Sequence, residues 1–112
     1  MPLPDDLRYQ LLKELDSNPE INQRELAKIV GISLGKTNYC LKALVGAGWV
    51  KAGNFARSEN KMNYAYVLTP KGLSEKAAVT VRFLKKKQDQ YEKLEREIDE
   101  LKVEANSLRS KS

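Results

Sequence analysis

The 112-residue sequence contains no histidine and only one cysteine, Cys40. A lone cysteine forms no internal disulfide, and without imidazole a zinc site would have to be built from carboxylates, which excludes a structural zinc. The same absence removes the commonest general base and every Ser/His or Cys/His pair, and no group of carboxylates or lysines stands in for them. Glycine is sparing, and Gly31 and Gly35 fit neither the G-x-G-x-x-G nor the G-x-x-x-x-G-K-[ST] spacing of a phosphate-cradling loop. These absences predict a protein that is not an enzyme and holds neither metal nor cofactor.

Long apolar runs are missing as well. Nothing approaches the roughly 18 to 20 uninterrupted apolar residues that cross a bilayer, and "MPLPDDLRYQ" has neither the basic nor the apolar part of a secretory signal. The sequence therefore reads as soluble and intracellular, with no membrane partner. Its length suits one compact domain with an extended element attached.

What is present in quantity is positive charge. Lys and Arg number 20 against 15 Asp and Glu, a formal charge of +5, which points to an anionic partner. Between Ser33 and Lys61, Lys36, Lys42, Lys51, Arg57 and Lys61 face only Glu59, a local excess of +4. Residues 1 to 32 instead carry more acidic than basic groups, so the positive field is concentrated in the middle third.

Apolar spacing organises the chain. A first helix starts near Asp5 or Asp6, with Leu7, Leu11, Leu12 and Leu15 on its inner face, and stops at "DSNPE", where Pro19 cannot continue it. A second helix follows Asn22, an N-cap with Glu25 three residues on, and turns Leu26, Ala27 and Val30 inward with Ile29 partly so. Gly31 makes a tight turn, Ser33 caps the next helix, and Leu34 to Ala47 form it, with Thr37, Leu41, Leu44 and Val45 on the apolar face. Two short helices joined by a glycine turn are a helix-turn-helix. Two candidate strands, Trp49 to Phe55 and Tyr64 to Thr69, flank the polar "ARSENKMN", which makes the expected unit a winged helix.

From Thr69 as N-cap and Pro70 at the first helical position, a long helix begins. Tyr91, Leu94, Ile98, Leu101, Ala105 and Leu108 follow alternating steps of three and four, a heptad seam. Projected backwards the seam meets Leu84, Ala77 and Leu73, but also the polar Lys87 and Thr80. The flanking charges, Glu97 and Glu104 against Lys102 and Arg109, suit a parallel pair. The expected fold class is thus mainly α with a small β-hairpin: a winged helix-turn-helix domain over residues 1 to 68, then a dimerising coiled-coil helix over 69 to 112 with a frayed end.

With Thr37, Leu41 and Leu44 inward, Gly35, Lys36, Asn38, Tyr39 and Lys42 fall on the outer and flanking faces of the third helix. A recognition helix reads base edges in the major groove from such a face. Asn38 can hold adenine with a donor and an acceptor, Lys36 can reach guanine or phosphate, and Tyr39 can donate to phosphate. In the wing, residues 55 to 63, Arg57, Asn60 and Lys61 suit the backbone or minor groove. Double-stranded DNA is therefore the expected partner. The alternative is a winged-helix protein-interaction module joined to a coiled-coil assembly scaffold, which a weak salt dependence of DNA retention would distinguish. A solvated helix face is the expectation for Arg82, Lys85, Lys86 and Lys87, and a packing role for Cys40.

The segments "NQRELAKIVGISLGKTNYCLKALVGAGWVKAGNF" and "YAYVLTPKGLSEKA" resemble winged-helix regulators of the MarR type. More narrowly, the chain is similar to the MarR family EPS-associated transcriptional regulators, bacterial proteins named for an association with exopolysaccharide gene clusters. "SLGKTNYCLKAL" and "LTPKG" are the most specific parts of the likeness. The resemblance implies a cytoplasmic, homodimeric, sequence-specific DNA-binding regulator, with Ser33, Gly35, Lys36, Asn38, Tyr39 and Lys42 at recognition-helix positions and Arg57 and Lys61 in the wing. Typical MarR proteins are longer, dimerise through both terminal helical regions and hold a ligand pocket near that interface. Here the N-terminal extension is nearly absent, so the C-terminal helix, with Leu84 and the seam from Tyr91 to Leu108, is expected to carry dimerisation, and an effector stays unassigned.

Overall fold

The structure is a computed structural model that describes residues 3 to 52 and 66 to 111. Helix α1 spans Asp5–Ser17, α2 Gln23–Val30 and α3 Leu34–Gly46; strands β1, Val50–Ala52, and β2, Tyr66–Leu68, follow, and α4 runs from Pro70 to Ser110. The fold is mainly helical, a winged helix-turn-helix with a two-stranded antiparallel hairpin and a long C-terminal helix, as the sequence pattern predicts.

Local chemistry fixes each boundary. Asp5 and Asp6 occupy the first turn of α1, where carboxylates favour the positive end of the helix dipole. The Asn22 side chain accepts from the Glu25 backbone N–H at 2.8 Å, and its amide donates to the Glu25 carboxylate at 2.5 Å. The predicted pairing at the start of α2 is therefore present, with the glutamate bound to the capping side chain. Gly31 ends α2 at a φ of 80°, a left-handed conformation that glycine adopts without a Cβ penalty. Ser33 then caps α3 by accepting from Lys36 N–H at 3.0 Å. At the far end of α3, Gly48 donates to Val45 O and Trp49 to Leu44 O, at 3.0 and 3.1 Å, the paired bonds of a Schellman stop.

The core lies between α1, α2 and α3 and is closed by β1, β2 and the start of α4. Leu11, Leu12, Leu15, Leu26, Leu41, Leu44, Val50 and Val79 are its largest fully buried apolar side chains. Thr37 is also fully buried, and its hydroxyl is satisfied by the Ser33 carbonyl at 2.9 Å. The strands pair Val50 with Leu68, Lys51 with Val67 and Ala52 with Tyr66.

Some positions depart from the periodicity. Val45 and Ile29, expected wholly or partly inward, are exposed, because α2 and the last turn of α3 have partners on one side only. Trp49 belongs to the turn that stops α3, not to β1. Leu3, Gly72, Val79 and Phe83 pack inward although no pattern singled them out. Three of these belong to α4, whose inner face follows from the position of α1 and not from its own heptads. Phe83 stacks on Tyr9 with ring centres 4.6 Å apart.

Arg82, Lys85, Lys86 and Lys87 are exposed on α4, and two of them form ion pairs with α1. Arg82 bonds Asp5 and Glu75 at 3.0 and 3.2 Å, and Lys86 bonds Asp6 at 3.0 Å. Lys76 reaches Asp16 at 2.6 Å. Arg8, beneath them, donates to Glu75 at 2.9 Å and lies over the Trp49 ring at 4.6 Å. These ion pairs tie α1 to the first turns of α4, after which the helix continues alone and gives the molecule a length of 73 Å.

Candidate nucleic-acid interface

Helix α3 divides cleanly into two faces. Thr37, Cys40, Leu41 and Leu44 are buried, whereas Ser33, Gly35, Lys36, Asn38, Tyr39 and Lys42 are all exposed. The six recognition-helix candidates therefore share one accessible surface. Leu34 is half-buried at its edge.

Gly35 is informative because the fold does not need it. Its backbone angle is not in the left-handed region, and a Cβ placed there would meet nothing within 4 Å. Alanine would be the better helix former at such a position. The backbone of the outer face is accessible at Gly35.

Helices α1 and α2 each carry acidic groups in their first turn, whereas α3, like α4, carries none. The positive dipole end of α3, Lys36 and Lys42 thus form a field that no carboxylate of the same turn offsets, an arrangement favourable to phosphate. Cys40 lies on the opposite face, fully buried. Burial pushes its thiol above the ordinary range, and the nearby Lys36 charge only partly opposes this. It is an inert packing residue in this setting.

What orients α3 comes from further along the chain. Lys71 Nζ donates to Ala47 O at 3.0 Å, and Thr69 Oγ1 donates to Gly48 O at 2.5 Å. Thr69 N–H donates to Trp49 O at 3.0 Å. The first turn of α4 thus holds the carbonyls that follow α3. The spacing predicts Thr69 and Pro70 only as helix starters; in "LTPKG" a threonine and a lysine serve two elements at once. On α2, Gln23 Nε2 donates to the Tyr66 hydroxyl at 3.3 Å and ties the first helix of the motif to the hairpin.

The wing candidates Arg57, Asn60 and Lys61 lie outside the described residues. So do Phe55 and Tyr64 of the expected strands. The dimerisation candidates Leu84, Tyr91, Leu94, Ile98, Leu101, Ala105 and Leu108 are all exposed along α4. Among the described residues no group of three or more His, Cys, Asp or Glu could hold a metal ion, and no helix is long and apolar enough to cross a membrane.

A family model described as winged helix-turn-helix DNA-binding matches residues 4–51, the segment that contains α1, α2 and α3. No curated protein matches the chain. Among solved structures, Staphylococcus aureus MarR in complex with salicylate and kanamycin is 22% identical over 77% of this chain and 56% of its own, with a TM-score of 0.61. The transcriptional repressor CouR bound to a 23-mer DNA duplex is 27% identical over 73% of this chain and 56% of its own, with a TM-score of 0.61. An S. aureus MepR–DNA complex is 16% identical over 96% of this chain and 78% of its own, with a TM-score of 0.69. The chain spans less than two thirds of the length of the MarR and CouR chains it matches. The chain thus has a winged helix-turn-helix fold, and its structural neighbours include MarR and the transcriptional repressor CouR.

Proposed function

We propose that the protein is a dimeric, sequence-specific DNA-binding transcriptional regulator of the MarR type, acting in the cytoplasm without cofactor or catalysis. The observation that carries this reading is the division of α3: a core-facing side of Thr37, Cys40, Leu41 and Leu44, and an exposed side of Ser33, Gly35, Lys36, Asn38, Tyr39 and Lys42. Such a face enters the major groove, where Asn38 reads a base edge, while Lys36, Tyr39 and Lys42 hold base or phosphate. Arg57, Asn60 and Lys61 of the wing contact the backbone or minor groove. That CouR and MepR, which share the fold, are each seen in complex with DNA supports DNA as the partner.

The finer parts of the reading rest on sequence likeness. Membership of the EPS-associated group, and with it control of exopolysaccharide genes in a bacterial host, follows the resemblance of "SLGKTNYCLKAL" and "LTPKG". Homodimerisation through α4 follows from the exposed seam Leu84, Tyr91, Leu94, Ile98, Leu101, Ala105 and Leu108. Two copies predict an inverted repeat with half-sites about one helical turn, ~34 Å, or a multiple apart.

The test is selection of random duplex DNA on the purified protein, followed by titration of the recovered motif against scrambled DNA at two salt concentrations. A recovered inverted repeat bound far more tightly than the scramble is the expected result. No enriched motif, with a shallow salt slope, would favour the second reading, in which the exposed length of α4 serves an assembly scaffold and the winged helix binds protein.

A further inference from the structure

We propose that Leu34 is a specificity-determining residue: its side chain reads the 5-methyl group of a thymine in the major groove, within two base pairs of the base that Asn38 holds. The inference deepens the regulator reading above and rests on it.

Leu34 opens α3, and its angle alone would send it to the core. At 100° per residue it lies about 20° round the helix from the buried Leu41 and about 40° from the exposed Asn38. Along the axis, however, it precedes Leu41 by about 10 Å. Ile32, two residues earlier, takes the place against the core: its N–H donates to Ala27 O at 3.0 Å, and its side chain packs on the core cluster. Among the described residues, Leu34 is not one of the half-buried apolar side chains so packed. It stays at the rim of the outer face, half-buried.

An apolar side chain stands apart in this turn. The Ser33 hydroxyl is engaged by the Lys36 N–H at 3.0 Å, Gly35 is bare with open space around it, and Lys36 and Asn38 are exposed. A carboxylate at the position of Leu34 would gain from the helix dipole but repel phosphate. A leucine there gains nothing from water, and its use is an apolar contact.

The major groove offers one such contact. Of the four bases only thymine presents an apolar group there, its C5 methyl. Long side chains on a helix lean toward its N-terminus, and the N-terminal residues of a recognition helix are the ones that meet base edges. Leu34 therefore leans toward the groove floor, and the bare Gly35 beside it lets the helix come close. The step from Leu34 to Asn38 is about 6 Å along the axis, against ~3.4 Å between successive base pairs. One turn of α3 thus spans an adenine held by Asn38 and a thymine methyl set against Leu34. Asn38 selects by hydrogen bonds, and Leu34 adds the one feature of thymine that hydrogen bonds do not read.

The test uses the full chain and DNA in which one thymine of each half-site at a time is replaced by deoxyuridine, which removes the methyl and leaves the hydrogen-bonding edge unchanged. The base pair at which Asn38→Ala relaxes sequence preference sets the reference position. The parent is expected to lose about fourfold in affinity per half-site at one thymine within two base pairs of it, the worth of burying one methyl group. Leu34→Ala is expected to bind the thymine and uracil duplexes alike at that position. Leu34→Met, which keeps an apolar reach, should retain most of the preference. A parent indifferent to the methyl at every such position overturns the inference without recourse to any variant, and so does a motif with no thymine there. Leu34→Ala that loses affinity for both duplexes equally, with the thymine preference intact, would make Leu34 a structural residue and overturn it too. If selection recovers no motif, the regulator reading fails and this inference with it; a motif bound without methyl dependence defeats this inference alone.

Discussion

Gly72, in the first turn of α4, lies so close to the carbonyl of Trp49 that a Cβ on it would overlap the carbonyl carbon and oxygen. The obstruction is backbone, so it cannot rotate away. The same carbonyl accepts from Thr69 N–H at 3.0 Å, and Lys71 and Thr69 bind the two preceding carbonyls. The junction between the end of α3 and the start of α4 is thus built on the absence of one methyl group. Gly72→Ala is expected to lower stability by about 3 kcal/mol, the upper part of the range for overpacking. Urea unfolding measures this, and an unchanged midpoint would mean that the junction yields easily.

Gly35→Ala should behave in the opposite way. Its Cβ meets open space, and alanine is the better helix former by about 1 kcal/mol. The variant is expected to be as stable as the parent or slightly more so, yet to bind the selected DNA motif more weakly. Asn38→Ala is expected to cost ~1 to 3 kcal/mol on the selected motif and much less on scrambled DNA. Equal losses on both duplexes would remove Asn38 from base reading, and an undiminished affinity of Gly35→Ala would place that turn away from the groove.

Much of this architecture is legible in the sequence because it is local. As caps and turn formers, Asn22, Gly31, Ser33 and Thr69 act on atoms within four residues of themselves, and the chain spacing alone reveals that role; the bonds from Thr69 to Gly48 and Trp49 it does not reveal. The faces of α3 follow from the 3.6-residue period. What escapes is the long-range pairing of α1 with α4. Asp5 with Arg82, Asp6 with Lys86, and Tyr9 with Phe83 are each more than 70 residues apart, and no periodicity encodes which exposed charge meets which. Val79 and Gly72 fall outside the heptad seam for the same reason: a helix with two partners carries two patterns, and only the longer one is evident by spacing.

The Asp5 and Arg82 pair gives stability a specific pH dependence. Hydrogen bonding from Arg82 holds the Asp5 carboxyl below its ordinary value; burial opposes it as the next largest influence, and the charges of Arg82, Arg8 and Lys86 add to the lowering. A carboxylate whose folded pKa is depressed adds stability above its unfolded value, about 3.9, and that contribution is lost as pH falls through the folded one. Asp5→Asn should therefore lower the urea midpoint at pH 7 by a small amount, since the pair is partly exposed and screened by salt. Once the pH lies below the folded value as well, the variant and the parent should converge. A gap that persists in acid would assign the effect to packing and not to charge.

The contacts that dock α4 on the domain reach as far as Lys86, which binds Asp6 at 3.0 Å. A chain truncated after Lys87 therefore keeps every described contact between α4 and α1 and should fold with a circular dichroism signal reduced only by the missing helical turns. It keeps Leu73, Ala77, Thr80 and Leu84 of the seam, about two heptads, too few to hold a coiled coil at micromolar concentration. Sedimentation equilibrium is expected to find the full chain dimeric and the truncated one monomeric. Its affinity for a single half-site should survive, while binding to the full inverted repeat should fall, because the second contact is no longer intramolecular. A truncated chain that remained fully dimeric would move the interface from the distal coil to the domain itself.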